Sequence, residues 1–279
     1  MSAWRECAAS EMKGGTVDGH GLRQKARSGE FLYGTMWAYP NPEQVAQVSS
    51  RDLDFIVIDS EHTPNDRATL RALIMRIGAA GIAPLVRIPN PDPDLVRQAL
   101  DAGAHGVVVP YCEDPAVVRD CLAAARYRPL KGARLAEAIA NGGPPNTDTR
   151  AYLEEYNRHS FFVAMIESAP AVERLDAILA VEGIDAVFIG PHDLTVSLDL
   201  PEQYEHPTVQ AAITTIIQTC ASHGIPAGTQ WWNTDLVRRE LALGGRFILY
   251  SNDLNILRLG YAEAMATIRD HAAKLNEGK

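Results

Sequence analysis

A chain of 279 residues, 46% hydrophobic and 22% charged, can bury a large core, and its length fits either two ordinary domains or one α/β barrel. Lys and Arg number 26 against 35 Asp and Glu, a net charge of -9, and the cations are scattered rather than gathered in a stripe, which argues against nucleic acid and anionic membrane as partners. Cys7, Cys112, Cys121 and Cys220 show neither a CxxC pair nor zinc-finger spacing, and no stretch stays apolar for the ~18 residues of a membrane span; a soluble, cytoplasmic protein without disulfide framework or structural zinc is expected.

The N-terminus, MSAWRECAASEMKGG, is too polar for a signal segment, and residues 1–21 show no helical or strand period; they read as a flexible arm ahead of a single domain over 22–279. From there short runs rich in Val, Ile and Phe alternate with helix-length stretches. The strand candidates are FLYGTMW (31–37), FIVID (55–59), APLVRI (83–88), GVVVP (106–110), FFVAMIE (161–167), AVFIG (186–190), IPAGT (225–229) and RFILY (246–250). Helices are expected near 42–50, 67–80, 94–103, 115–127, 170–182, 207–223, 234–243 and 253–275. Strands apolar throughout belong to a parallel sheet covered by helices, and eight βα units predict a (β/α)8 barrel of the TIM type. An open doubly wound sheet competes, but no GxGxxG follows any strand. The longest irregular stretch, 128–149, carries NGGPPN and reads as a lid, substrate-facing loop or interface element.

A barrel places its chemistry at the C-terminal ends of its strands. There the sequence puts Asp59-Ser60-Glu61-His62, Arg87, Glu167, Gly190-Pro191-His192-Asp193, and later Gln230, Trp231, Asn233, Ser251 and Asp253. Glu167 and Asp193 end neighbouring strands, and two converging carboxylates make a hard oxygen site for Mg2+ or Mn2+; the bland alternative pairs Glu167 with a cation and leaves Asp193 as a turn cap. His62 reads as a structural hydrogen-bonding group or as a general base oriented by Asp59 and Glu61. Arg87 reads as a buried partner of those carboxylates or as the guanidinium that holds a carboxylate or an enolate oxygen. His20, His105, His159, His206 and His223 read as surface or structural. Trp37 and the Trp231-Trp232 pair would wall a substrate pocket or simply pack at the barrel mouth.

These motifs, VIDSEHTPN, PLVRIP, ALDAGAHGVVVP, ARYRPLKGAR, AMIES and IGPHDLTVSL, taken in order over about 25 to 270, resemble the HpcH/HpaI group of class II pyruvate aldolases. The resemblance implies a metal-dependent aldolase in which Glu167 and Asp193 ligate a divalent metal (Mg2+, Mn2+ or Co2+) and Arg87 touches the keto oxygen. It further implies that backbone amides around Gly190, Pro191, His192 and Asp193 hold the substrate carboxylate, that His62 works as base, and that Asp101 reaches His62 from an adjacent subunit. The implied assembly is a hexamer of dimers that exchange the last helix, and the implied substrates are a 2-oxo acid and an aldehyde. A Schiff-base mechanism lacks a carrier, since Lys13, Lys25, Lys131, Lys274 and Lys279 all fall outside the strand candidates. Departures occur at Thr63, at Gly132-Ala133-Arg134-Leu135 and at Ser197-Leu198-Asp199, around the pocket rim rather than among the catalytic groups. A decarboxylating carbon–carbon bond former on oxaloacetate, a CoA-thioester lyase and a non-catalytic barrel are the competing functions.

Overall fold

Successive side chains on a strand face opposite sides, so each apolar run must feed two cores at once. The computed structural model, which describes residues 17–39 and 41–277, shows how they divide. Eight parallel strands, β1 (Leu32–Trp37), β2 (Phe55–Asp59), β3 (Ala83–Arg87), β4 (Gly106–Val109), β5 (Phe161–Ile166), β6 (Ala186–Ile189), β7 (Ala227–Trp231) and β8 (Phe247–Asn252), close into a barrel in chain order. One parity, including Phe55, Val57, Leu85, Val108, Phe161, Val163, Met165, Phe188, Phe247 and Leu249, fills the inside. The other, including Ile56, Ile58, Val86, Val107, Val109, Phe162, Ile166, Val187 and Ile189, packs under the helices. The interior is a solid core: Phe55 and Phe247 stack with centroids 4.6 Å apart, and a Cβ on Gly34 would come within 2.3 Å of the Phe55 ring.

The covering helices are α2 (Arg67–Ala79), α3 (Pro93–Asp101), α4 (Pro115–Arg126), α7 (Ala169–Glu173), α8 (Leu175–Leu179), α9 (Pro191–Ser197), α10 (Pro207–Ser222), α11 (Thr234–Leu243) and α12 (Asp253–Glu277). Several start with an Asp or Asn side chain accepting from the first-turn amides, as Asp66, Asp92, Asp114 and Asn233 do. Pro follows directly after Asp92 and Asp114, where its missing N–H costs nothing. The 42–50 helix is a short 3-10 turn over Pro42–Gln47, and 170–182 divides at Arg174 into α7 and α8.

Two expectations need correcting. Helix α1 (Gly19–Ser28), capped by Asp18, starts inside the segment read as an arm; residues 1–16 lie outside the described residues. Its Leu22 and Ala26 join the interior core and Lys25 pairs with Asp54 at 2.6 Å, so α1 plugs the end of the barrel where the strands begin. The stretch 128–149 is no long loop: it holds all of α5 (Gly132–Ala140) and the start of α6 (Thr147–Tyr156). The NGGPPN residues form the turn between them, where Gly142 and Gly143 take positive φ and Asn146 caps α6, accepting from Thr149 N at 2.8 Å.

Among the described residues no helix is long and apolar enough to cross a membrane. The longest, α12, packs against β1 and β8 and then runs on with Leu257, Tyr261, Ile268 and Leu275 each more than half exposed.

Glu240 of α11 is buried behind β7, where its Oε2 accepts from Thr229 N at 3.0 Å and Trp231 Nε1 at 2.8 Å. Burial pushes this carboxyl up to about 7, against the pull of those donors. The Thr229 hydroxyl and Oε1 have no aligned partner, so a proton on Oε1 suits the site. A carboxyl raised in the folded state adds stability that is full below its unfolded pKa near 4.5 and is lost as pH rises through about 7. The loss is on the order of 3 kcal/mol. Glu240→Gln should therefore show a flatter decline of melting temperature between pH 5 and 8 than the parent, by roughly 5 °C in thermal unfolding; parallel curves would contradict the assignment.

Candidate active site

The parity that fills the barrel also carries Asp59, Arg87 and Glu167 onto the inner face, each at or just past a strand end. Asp59 and Arg87 are register partners across β2 and β3. The guanidinium grips Asp59 with two prongs, Nε to Oδ1 at 3.0 Å and Nη2 to Oδ2 at 2.8 Å, while Nη1 lies 3.1 Å from Glu61 Oε2. Burial raises Asp59, but the Arg87 bonds and the amides of Glu61 and His62 outweigh it and hold the carboxyl below its usual range. Glu61 goes the other way: burial, with Asp59 and Asp193 nearby, raises it in spite of Arg87. Asp59 thus orients Arg87 and the turn after β2, and it is Glu61 that approaches the largely exposed His62 ring, at 3.7 Å from Nε2.

Glu167 stands buried at the end of β5. Its Oε1 accepts from Tyr111 N at 2.8 Å, and Oε2 lies so close to Gly190 that a Cβ there would sit 2.5 Å away. That close approach accounts for glycine after β6. Asp193, half-buried, belongs to the first turn of α9, whose His192 and Asp193 amides have no intrahelical acceptor; Pro191 has no N–H to offer. Burial pushes Glu167 up to about 7, and the charges of Asp193 and Glu61 push the same way, against the Tyr111 amide and Arg87.

Four carboxylates, Asp59, Glu61, Glu167 and Asp193, therefore act on one another around a single shared guanidinium. This excess of negative charge on hard oxygens fits a divalent cation between Glu167 and Asp193. No cluster of three or more His, Cys, Asp or Glu ligands exists among the described residues, so an ion held by these two would keep open positions.

A cavity of about 570 Å3 opens beside the carboxylates. Met165 and Phe188 line its inner part, with His62, Arg87, Gly190, Pro191, His192 and Asp193 around them. Its outer wall comes from Tyr204, Asn252, Asn255 and Arg258, which sequence reasoning missed, together with Gln230, Trp232 and Ser251, which it names. Tyr204 follows α9 in an irregular segment, and its ring meets Trp232 edge-on at 5.0 Å. Asn255 and Arg258 sit on the first turns of α12, where only the barrel's closure brings them to the mouth.

Trp37 and Trp231 do not line the cavity. Both have the outward parity: Trp37 is buried in the layer beneath the helices, and Trp231 points its indole N–H at Glu240. Trp232, one residue on, takes the inward side and is 42% exposed. Asp101 ends α3, paired with Arg128 at 2.9 Å, and does not line the cavity that holds His62. Lys25 and Lys274 pair with Asp54 and Asp270, and Lys131 precedes α5 on the surface, so none of the described lysines enters the barrel.

Residues 33–258 match the HpcH/HpaI aldolase/citrate lyase family. The chain is 31% identical over 223 residues to the 5-keto-4-deoxy-D-glucarate aldolase of Shigella dysenteriae serotype 1 (strain Sd197), covering 79% of this chain and 86% of that one. It superposes on an HpcH/HpaI aldolase/citrate lyase family protein from Burkholderia cenocepacia J2315 with a TM-score of 0.78 at 30% identity, over 90% of this chain and 99% of that one. The citrate synthase SbnG gives 0.77 at 26% identity, over 90% and 98%. With its barrel, its strand-end carboxylates and these similarities, the chain belongs to the HpcH/HpaI aldolase/citrate lyase family.

Proposed function

We propose that the protein is a divalent-metal-dependent aldolase that cleaves a 4-hydroxy-2-oxo acid into pyruvate, or a close 2-oxo acid, and an aldehyde. The observation that carries this reading is the excess of carboxylate at one rim, with Glu167 and Asp193 beside the Arg87 fork and His62. When bound between Glu167 and Asp193, Mg2+ or Mn2+ supplies Lewis-acid stabilisation of the enolate charge. Arg87, locked by Asp59, holds the keto oxygen and shares that charge. The free first-turn amides of His192 and Asp193 suit the substrate carboxylate. His62, exposed to the cavity and close to Glu61, takes the 4-hydroxyl proton as the carbon–carbon bond breaks and returns a proton to the enolate carbon; pyruvate proton exchange runs that second transfer in reverse.

Assembly belongs to the same proposal. Asp101 does not line its own chain's cavity, and its contact with a His62 would come from a neighbouring copy, in a homo-oligomer such as a hexamer, with the exposed apolar residues of α12 docked on a neighbour.

The enolate step has a direct assay, exchange of pyruvate methyl protons with heavy water followed by proton NMR. Exchange should need added Mg2+ or Mn2+, stop with chelator, and fall about 100-fold or more in Glu167→Gln. Exchange that is absent, or indifferent to metal, in folded protein would count against the aldolase.

The acceptor end is proposed to take a carboxylated aldehyde. Arg258 faces the cavity with no carboxylate partner among the described residues, its Nη2 bonded at 2.7 Å to the neutral Asn255 Oδ1, and the 5-keto-4-deoxy-D-glucarate of the relative is a diacid. Arg258→Ala should raise the KM for a carboxylated aldehyde roughly 10- to 100-fold and that for a neutral one less than about threefold. Equal effects on both would remove Arg258 from this role.

The similarity to citrate synthase SbnG favours a second reading, carbon–carbon bond formation on the same enolate with oxaloacetate as precursor. Release of carbon dioxide from oxaloacetate, compared with cleavage of a 4-hydroxy-2-oxo acid, distinguishes the two.

A further inference from the structure

The side chain of Arg258 is the last link of a bonded chain that starts at the end of β7. Gln230 Nε2 donates to Ser251 O at 2.8 Å, Asn255 Nδ2 donates to Ser251 Oγ at 2.8 Å, and Arg258 Nη2 donates to Asn255 Oδ1 at 2.7 Å. All four residues line the cavity. A guanidinium only donates, so Oδ1 must face Arg258, which leaves the amide nitrogen for Ser251. Ser251 is itself fixed: it is 2% exposed and held at φ 54, a left-handed conformation that serine rarely adopts.

Asn255 is the unusual member. Elsewhere Arg97, Arg158 and Arg238 each contact the side chain three positions earlier, and there it is a carboxylate: Asp94, Glu155 and Asp235. Those pairs lie on the surface and cancel their own charge. At the cavity the same spacing carries an amide, which has the shape of an aspartate and no charge. Asp253, the carboxylate nearest in sequence, is engaged elsewhere, accepting from Ala38 N at 3.0 Å and Tyr39 N at 3.2 Å. Asp193 is the one acidic residue in the cavity lining, and it is proposed to hold the metal. A guanidinium anchored on a neutral acceptor keeps its full charge, with donors left over for a bidentate carboxylate.

Resting on the aldolase reading and on Arg258 as the anchor of the acceptor, we infer that Asn255 is a positioning residue that sets the charge of the acceptor. It holds Arg258 at the cavity without neutralising it, so the site prefers an aldehyde whose far end carries a carboxylate. Ser251 and Gln230 act behind it by keeping the amide turned with its oxygen toward the guanidinium. Asn255→Asp preserves the shape of the anchor and cancels the preference.

The test measures condensation of pyruvate with paired aldehydes in the presence of Mg2+: glyoxylate against glycolaldehyde, and succinic semialdehyde against butanal. The carboxylate-to-neutral ratio of kcat/KM is taken within one preparation, so incomplete folding of a variant cancels. Asn255→Asp should lower that ratio about tenfold or more, chiefly through KM, to near the value of Arg258→Ala. In an Arg258→Ala background the same substitution should change it less than about threefold. An unchanged ratio in Asn255→Asp overturns the inference. A fall of equal size in the Arg258→Ala background overturns it too, since the added carboxylate then repels the acceptor directly rather than acting through Arg258. A ratio indifferent to Arg258→Ala alone defeats the reading of Arg258, and absence of pyruvate exchange in the parent defeats the aldolase reading. Either takes the inference with it and is distinct from the first two outcomes.

Discussion

Repulsion among carboxylates confined to one rim governs this molecule. Asp59, Glu61, Glu167 and Asp193 are brought together by strand ends that cannot move apart, because the barrel is closed and its interior is filled by Phe55, Phe161, Phe188 and Phe247. Arg87 relieves part of that repulsion and pays it mostly to Asp59 and Glu61. What is left falls on Glu167, whose carboxyl is pushed up to about 7 by burial and by its neighbours. A site with this imbalance is under standing demand for positive charge, which the divalent cation proposed between Glu167 and Asp193 would meet.

Much of this was legible in the sequence because it depends on period and order. Runs apolar on both parities announced a covered parallel sheet, and the polar residues closing them located the active rim. Parity, taken further, separates Trp231 from Trp232: counting by twos from Gly228 puts Gln230 inside and Trp231 outside. What could not be read depends on closure or on local competition. Arg258 and Asn255 reach the cavity because β8 returns to β1, a contact between residues more than 200 positions apart. The α5 and α6 helices were obscured by an NGGPPN turn whose breakers occupy few positions, while the helical period in ARLAEAIA was the stronger signal. The start of α1 was masked by two glycines, one of which, Gly19, is required because His105 and His159 carbonyls press against it.

The described structure also separates rigid from adjustable parts of the mouth. The proposed enolate half rests on strand ends, with Arg87 and Glu167 almost wholly buried. The proposed acceptor half rests on Tyr204, Trp232 and the first turns of α12, which are more exposed and come from segments outside the barrel. Two of the non-glycine residues with positive φ, Tyr111 and Ser251, sit at this rim. In such an arrangement the proposed chemistry at the strand ends can persist while the residues of the outer wall change.

The most direct measurement of the central claim is calorimetric titration of Mn2+ into the metal-free protein, with Glu167→Gln and Asp193→Asn alongside. The account predicts one Mn2+ per chain in the parent and at least tenfold weaker binding in each variant. Equal affinity in the variants, or no binding by a folded parent, would contradict it.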